Sequence, residues 1–135
     1  MLLVDTNVLL AAADTSAPEH PQCAALLDER TDLVVTTPVA TECAWMIESR
    51  LGVTAEAAFV TSIATGELAR IDLTDTDWAR CVELIATYHD LGLGLVDASI
   101  IAVAERLGQT TIATMNHRDF TVVRPANGES FELIP

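Results

Sequence analysis

The chain has 135 residues, half of them hydrophobic, and carries 20 acidic against 7 basic side chains for a formal net charge of -13. That length and apolar content exclude a disordered chain and fit one domain, 1–135, with a core of its own; the longest apolar run, Leu91 to Ala104, is broken by Asp97, which excludes a membrane span. All the basic residues are arginine, so indiscriminate polyanion binding is excluded unless bound cations or a few placed arginines invert the field locally.

Leu2-Leu3-Val4 reads as a short buried strand that runs straight into Asp5, and Thr6-Asn7 then open a helix through Ala13. Pro18 and Pro21 mark the start of a second helix carrying Cys23, Leu26, Leu27 and Arg30. Leu33 to Thr37 is a second strand, and Pro38 begins a third helix with Val39, Cys43, Met46, Ile47 and Arg50 along one stripe. Glu42 falls off that stripe, one turn into the helix, beside the carboxyl edge of the strand. Gly52 separates a fourth helix, Thr54 to Thr65, which Gly66 closes.

Leu68 to Leu73 is a third strand, and Thr74 or Asp75 caps a long helix with Trp78, Val82, Ile85 and Tyr88 on its apolar face. Trp45 and Trp78 read most simply as core residues. Gly92 and Gly94 form a loop too sparse for a phosphate-binding motif, after which Asp97 opens a helix with Ile100, Val103, Ala104 and Leu107 on one stripe, ended by Gly108. Thr110 to Thr114 is a fourth strand; Met115 to Phe120 follow, with a last edge around Val122 and Val123. Cys23, Cys43 and Cys81 have no paired spacing, and His20, His89 and His117 form no ligand pair, so reduced core thiols and surface histidines are expected, without zinc. The N-terminus lacks a basic leader, and a cytoplasmic location is the expectation.

Strands alternating with helices imply an α/β fold: a parallel sheet flanked by helices, with ligands bound beyond the carboxyl ends of the strands. Asp5, Glu42, Asn116 and Asp119 all follow strands, and the helix holding Asp97 begins at the same edge because it runs antiparallel to its strand. Carboxylates converging there repel one another by several kcal/mol unless a cation lies among them. Oxygen donors without histidine or cysteine select magnesium or manganese, ions suited to phosphodiester hydrolysis. A capping role competes for Asp97, and a solvated helix position for Glu42; their combination with Asp5 carries the weight.

Val4-Asp5-Thr6-Asn7, Glu42 after a strand and proline, Leu95-Val96-Asp97-Ala98, and Ala113-Thr114-Met115-Asn116-His117-Arg118-Asp119-Phe120 resemble the successive motifs of PIN-domain nucleases. Size and spacing are most similar to the VapC toxins of bacterial toxin–antitoxin pairs, and the resemblance covers essentially the whole chain. It implies a five-stranded parallel sheet, a homodimer, a Mg2+- or Mn2+-dependent endoribonuclease cutting an RNA such as tRNA or rRNA, and inhibition by a cognate VapB-like antitoxin. It also implies Asp5, Glu42 and Asp97 as catalytic and metal-holding acids, with Thr6 and Thr114 as orienting hydroxyls and Arg118 next to the site. The sequence departs from the family pattern where a fourth acid is common. Asn116 stands there, offering a carbonyl oxygen to the metal but no charge, and Asp119, one turn on, is the candidate to replace the missing carboxylate.

Two strand-Asp-helix families are excluded by chemistry. A haloacid-dehalogenase-like phosphatase needs a second acid where Asn7 stands, and both it and a phosphoacceptor receiver need a lysine, which the chain lacks. The remaining alternative is a catalytically silent PIN-like protein-interaction module, a reading that Asn116 favours.

Overall fold

The computed structural model describes residues 1–135. Five short segments form strands: β1 (Leu2–Val4), β2 (Leu33–Thr36), β3 (Ala69–Ile71), β4 (Thr111–Ala113) and β5 (Glu132–Ile134). They form one sheet in the order β3-β2-β1-β4-β5, parallel throughout. Between them run α1 (Thr6–Ala13), α2 (His20–Glu29), α3 (Thr37–Leu51), α4 (Val53–Ala64), α5 (Asp75–Thr87), α6 (Leu95–Leu107) and α7 (His117–Val122). Leu2, Leu3 and Val4 are wholly buried, as a central strand of a covered parallel sheet must be.

Helix α6 is the pillar of the core. Ala98 through Ala104 are buried on every side, including Ser99, and the helix packs on β1, β2, α3 and α5. Gly108 ends it in the left-handed conformation, φ 65°, which glycine adopts without steric cost. Helix α4 lies at the periphery, with no buried residue. Because β1 lies between β2 and β4, the chain winds first one way from β1 and then the other, and strand order reverses between β1 and β4. A crevice forms beyond the carboxyl ends at such a reversal.

Three expectations are corrected. Trp45 and Trp78 are not core residues: they are 68% and 48% exposed. The buried stripe of α5 is Asp77, Cys81 and Leu84, one position round from the expected one, so Val82 is exposed. The rotation follows from Asp77, which closes a capping box with Thr74 and takes a charge-assisted pair from Arg106 on α6, Nη2 to Oδ2 at 2.9 Å. Third, no strand runs through Val122 and Val123. Asn116 caps α7, its Oδ1 accepting from the Asp119 N–H, and this draws the β-branched run Thr121-Val122 into helix. The edge strand is instead Glu132–Ile134, paired with β4.

Candidate active site

The crevice at the reversal is a cleft of about 610 Å³ into which Asp5, Glu42, Asp97 and Asn116 all face. Asp5 ends β1 in extended conformation and caps α1, its Oδ1 accepting the Thr6 N–H at 2.7 Å. Its other oxygen accepts from the Thr114 hydroxyl at 2.8 Å and from Asn7 Nδ2 at 2.9 Å. Asn7 then accepts the Met115 N–H at 2.9 Å, and the Asn116 N–H donates to Thr114 Oγ1 at 2.9 Å. The ends of β1 and β4 are thus laced by side chains, and the carboxylate of Asp5 is held in one orientation. The sequence reading placed Asn7 only as a helix-opening residue; its link to the far strand leaves no local signature.

Glu42 sits in the second turn of α3, half-buried, and accepts no hydrogen bond. Asp97 is the third residue of α6, which starts two residues earlier than expected, at Leu95 after Gly94. No side chain caps that helix, so the capping explanation for Asp97 fails, and its carboxyl has no hydrogen bond or ion pair to account for its burial. The buried contact between the hydroxyls of Thr36, which ends β2 and caps α3, and Ser99, in the second turn of α6, 2.8 Å, ties the starts of the helices that carry Glu42 and Asp97 to each other.

The electrostatics record this crowding. Burial, joined by the charges of Asp5, Asp119 and Glu42, pushes the Asp97 carboxyl up to about 7. Asp5 is raised as well, chiefly by burial and also by Glu42, against the lowering effect of its hydrogen bonds from Thr114, Thr6 and Asn7. The buried Cys43 thiol is pushed up to about 12 by burial and then by Glu42 and Asp5, and stays an inert packing group.

Asp119 is handled differently. It does not line the cleft; its two oxygens accept from Asn116 Nδ2 and Arg118 Nε, each at 2.9 Å, and these bonds hold its carboxyl below the ordinary range. Asn116 reaches the cleft while its amide also caps α7. Arg118 is 77% exposed and turned to Asp119. The Thr6 hydroxyl is buried at the cleft with no hydrogen-bond partner, and only its backbone N–H serves Asp5.

As the side chains stand, no three His, Cys, Asp or Glu residues are gathered into a ready-made cluster for an ion. The donor set nevertheless fits a hard divalent cation. Asp5, Glu42 and Asp97 supply only oxygen, Asp5 and Asp97 are raised chiefly by burial and further by neighbouring carboxylates, and the unpartnered Thr6 hydroxyl borders the same space. Beside the cleft runs an apolar groove lined by Pro38, Trp45, Leu73 and Trp78, which shares Glu42 and Leu95 with it.

Comparison with known proteins agrees with this fold. The PIN domain family model matches residues 2–124. Ribonuclease VapC26 of Mycobacterium tuberculosis is 32% identical over 137 residues, covering 99% of this chain and 100% of that protein. Among solved structures, Mycobacterium tuberculosis VapC20, a sarcin-ricin loop cleaving toxin, superposes with a TM-score of 0.76 at 18% identity, over 83% of this chain and 87% of that one. A toxin–antitoxin complex from Klebsiella pneumoniae matches with a TM-score of 0.65 at 24% identity, over 91% of this chain and 92% of that one. VapBC2 of Rickettsia felis, bound to a promoter DNA fragment, matches with a TM-score of 0.66 at 17% identity, over 98% and 96%.

Proposed function

The chain belongs to the PIN-domain family, and from that premise we propose that it is a Mg2+- or Mn2+-dependent endoribonuclease, the toxin of a VapBC-type toxin–antitoxin pair. The observation that carries the reading is Asp97: a half-buried carboxyl with no hydrogen bond or ion pair, raised to about 7 by burial and by the charges of Asp5, Asp119 and Glu42, at the edge where a parallel sheet of this kind binds ligands. The name of the 32% identical relative, a ribonuclease, supports RNA as the substrate.

In this reading Asp5, Glu42 and Asp97 hold the ion, and Asn116 adds a carbonyl oxygen at the rim. The ion, when bound, supplies a nucleophilic water at neutral pH and neutralises charge developing on the phosphate. Thr114 and Asn7 keep Asp5 from rotating, and the buried floor beneath it limits water around the reacting phosphate. Asp97, raised to about 7 by burial and by its acidic neighbours, would ionise fully once a cation offset that charge. Asp119 orders Asn116 and adds its field to Asp97, a positioning role in place of the missing fourth acid.

The partner in this reading is a VapB-like antitoxin, whose arginine would pair with the acids while apolar side chains enter the Trp45–Trp78 groove. Residues 1–135 act as one unit, a homodimer in the cytoplasm; no helix is long and apolar enough to cross a membrane. The competing silent-module reading draws on the uncharged Asn116. Incubating the purified chain with a broad RNA panel in Mn2+ decides between them. Cleavage that is lost in chelator, and lost in Asp5→Asn and Asp97→Asn while both variants stay folded by circular dichroism, is the expected result. A wild-type chain that cuts nothing, free of any bound partner, assigns the protein to the silent class.

A further inference from the structure

Six of the seven arginines are engaged. Arg30 forks onto Asp32 with both bonds at 2.8 Å, Arg70 pairs with Asp72, and Arg80 forks onto Glu105. Arg106 is bound to Asp77, Arg118 to Asp119, and Arg124 is folded onto the carbonyls of Thr121, Val122 and Val123. Arg50 alone makes neither a hydrogen bond nor an ion pair. It is also the only cationic side chain facing the acidic cleft, where it shares one face of α3 with Glu42 and Met46. Eight residues separate it from Glu42, about 12 Å along the helix axis at 1.5 Å per residue.

A position in the last turn of a helix suits an arginine on electrostatic grounds alone, but there the guanidinium commonly bonds the terminal carbonyls, and Arg50 bonds none. Its field reaches Asp14, whose carboxyl is lowered first by hydrogen bonds from Ser16 and only lastly by Arg50. Asp14 and Glu19 also line the cleft without pairing with it. An unpaired guanidinium at the mouth of an acidic cleft, in a chain of net charge -13, is placed for an anion brought from outside.

We propose that Arg50 is the phosphate anchor of the cleft. It takes the nonbridging oxygens of an RNA phosphate about two helical turns along α3 from Glu42, so that the strand enters the cleft in one register. The proposal rests on the ribonuclease reading and assigns its substrate a second contact point, remote from the cleaved bond. The fork geometry favours bidentate contact, which lysine reproduces in charge but not in shape.

The experiment is a fluorescence anisotropy titration of the full chain with a short single-stranded RNA of mixed sequence, in Ca2+, across a salt series, beside cleavage kinetics in Mn2+. Arg50→Ala should flatten the slope of log affinity against log salt by about 0.7, the loss of one phosphate contact on a single strand. KM should rise about tenfold with kcat nearly unchanged, because the contact is the same in ground and transition states. Arg50→Lys should keep the slope and lose part of the affinity. Arg70→Ala, a control at a paired arginine, should leave both unchanged, and all variants should melt with the wild type. An Arg50→Ala chain with wild-type slope and KM overturns the proposal, as does an equal change in Arg70→Ala. A wild type that neither binds nor cuts any RNA overturns the ribonuclease reading first, and the anchor with it.

Discussion

Replacing Asp97 by asparagine should stabilise the metal-free protein, and the size of the gain follows from the crowding of the cleft. The carboxyl has an ordinary value of 3.8 and is raised to about 7 in the fold. The folded state therefore binds its proton more tightly than the unfolded chain. Stability from this group is complete below the unfolded value, falls as pH rises from about 4 to about 7, and is flat above. At roughly 1.4 kcal/mol per tenfold change in proton affinity, the total loss has a ceiling of about 4 kcal/mol. Asp97→Asn carries no charge and escapes that loss. In chelator at about pH 8 the variant should exceed the wild type by about 1–4 kcal/mol, or roughly 3–5 °C in Tm per kcal/mol for a chain of this size. The advantage should shrink toward zero near pH 4. Adding Mn2+ should raise the wild type more than the variant, since a bound cation relieves the repulsion that the substitution has already removed. Thermal melts followed by circular dichroism at several pH values measure all of this. Equal melting at pH 8, or a gain that does not change with pH, would refute the reasoning.

Four further outcomes follow. Asn7→Ala breaks the tie between Asp5 and the Met115 N–H, and should cost about 1–3 kcal/mol in urea denaturation and weaken Mn2+ binding about 10- to 100-fold by calorimetry. Thr114→Val removes one bond to Asp5 and should lower Mn2+ affinity by a similar factor at smaller cost to stability. Thr6→Val replaces a buried, unpartnered hydroxyl with a methyl of like shape, so its Tm should equal or exceed the wild type; a loss of cleavage with Tm retained would show that the hydroxyl meets the ligand. Arg106→Ala strands Asp77, which is 2% exposed, and should cost about 3–5 kcal/mol. Despite burial, bonds from Arg106 and Thr74 hold the Asp77 carboxyl below 3.8, so the stability it contributes is present above that value and is lost as pH falls further.

The first half of the fold is legible residue by residue where local chemistry is unambiguous. A run of apolar residues met by an acid, a hydroxyl and an amide places β1, Asp5 and α1 within a residue of where they stand. The convergence of Asp5, Glu42, Asp97 and Asn116 follows from strand and helix direction alone. What is not legible depends on partners distant in sequence. Nothing near Asp77 announces Arg106, 29 residues on, so the stripe of α5 is read one position off and Trp78 is taken for core. Thr121-Val122-Val123 has the composition of a strand, and the capping geometry of Asn116 draws its first two residues into helix. Gly94 rather than Asp97 heads α6 because the loop before it, not the acid, sets the entry. The solitary state of Arg50 is a statement about six other arginines and could not be read from its own neighbourhood.

Both tryptophans stand on one groove that opens onto Glu42, and neither is shielded by the interior. The intrinsic emission of this chain therefore says little about whether its centre is intact. It is instead a built-in optical gauge of what settles on that side of the molecule: dynamic quenchers should reach the indoles freely in the isolated chain, and their protection on mixing reports occupancy without any attached dye.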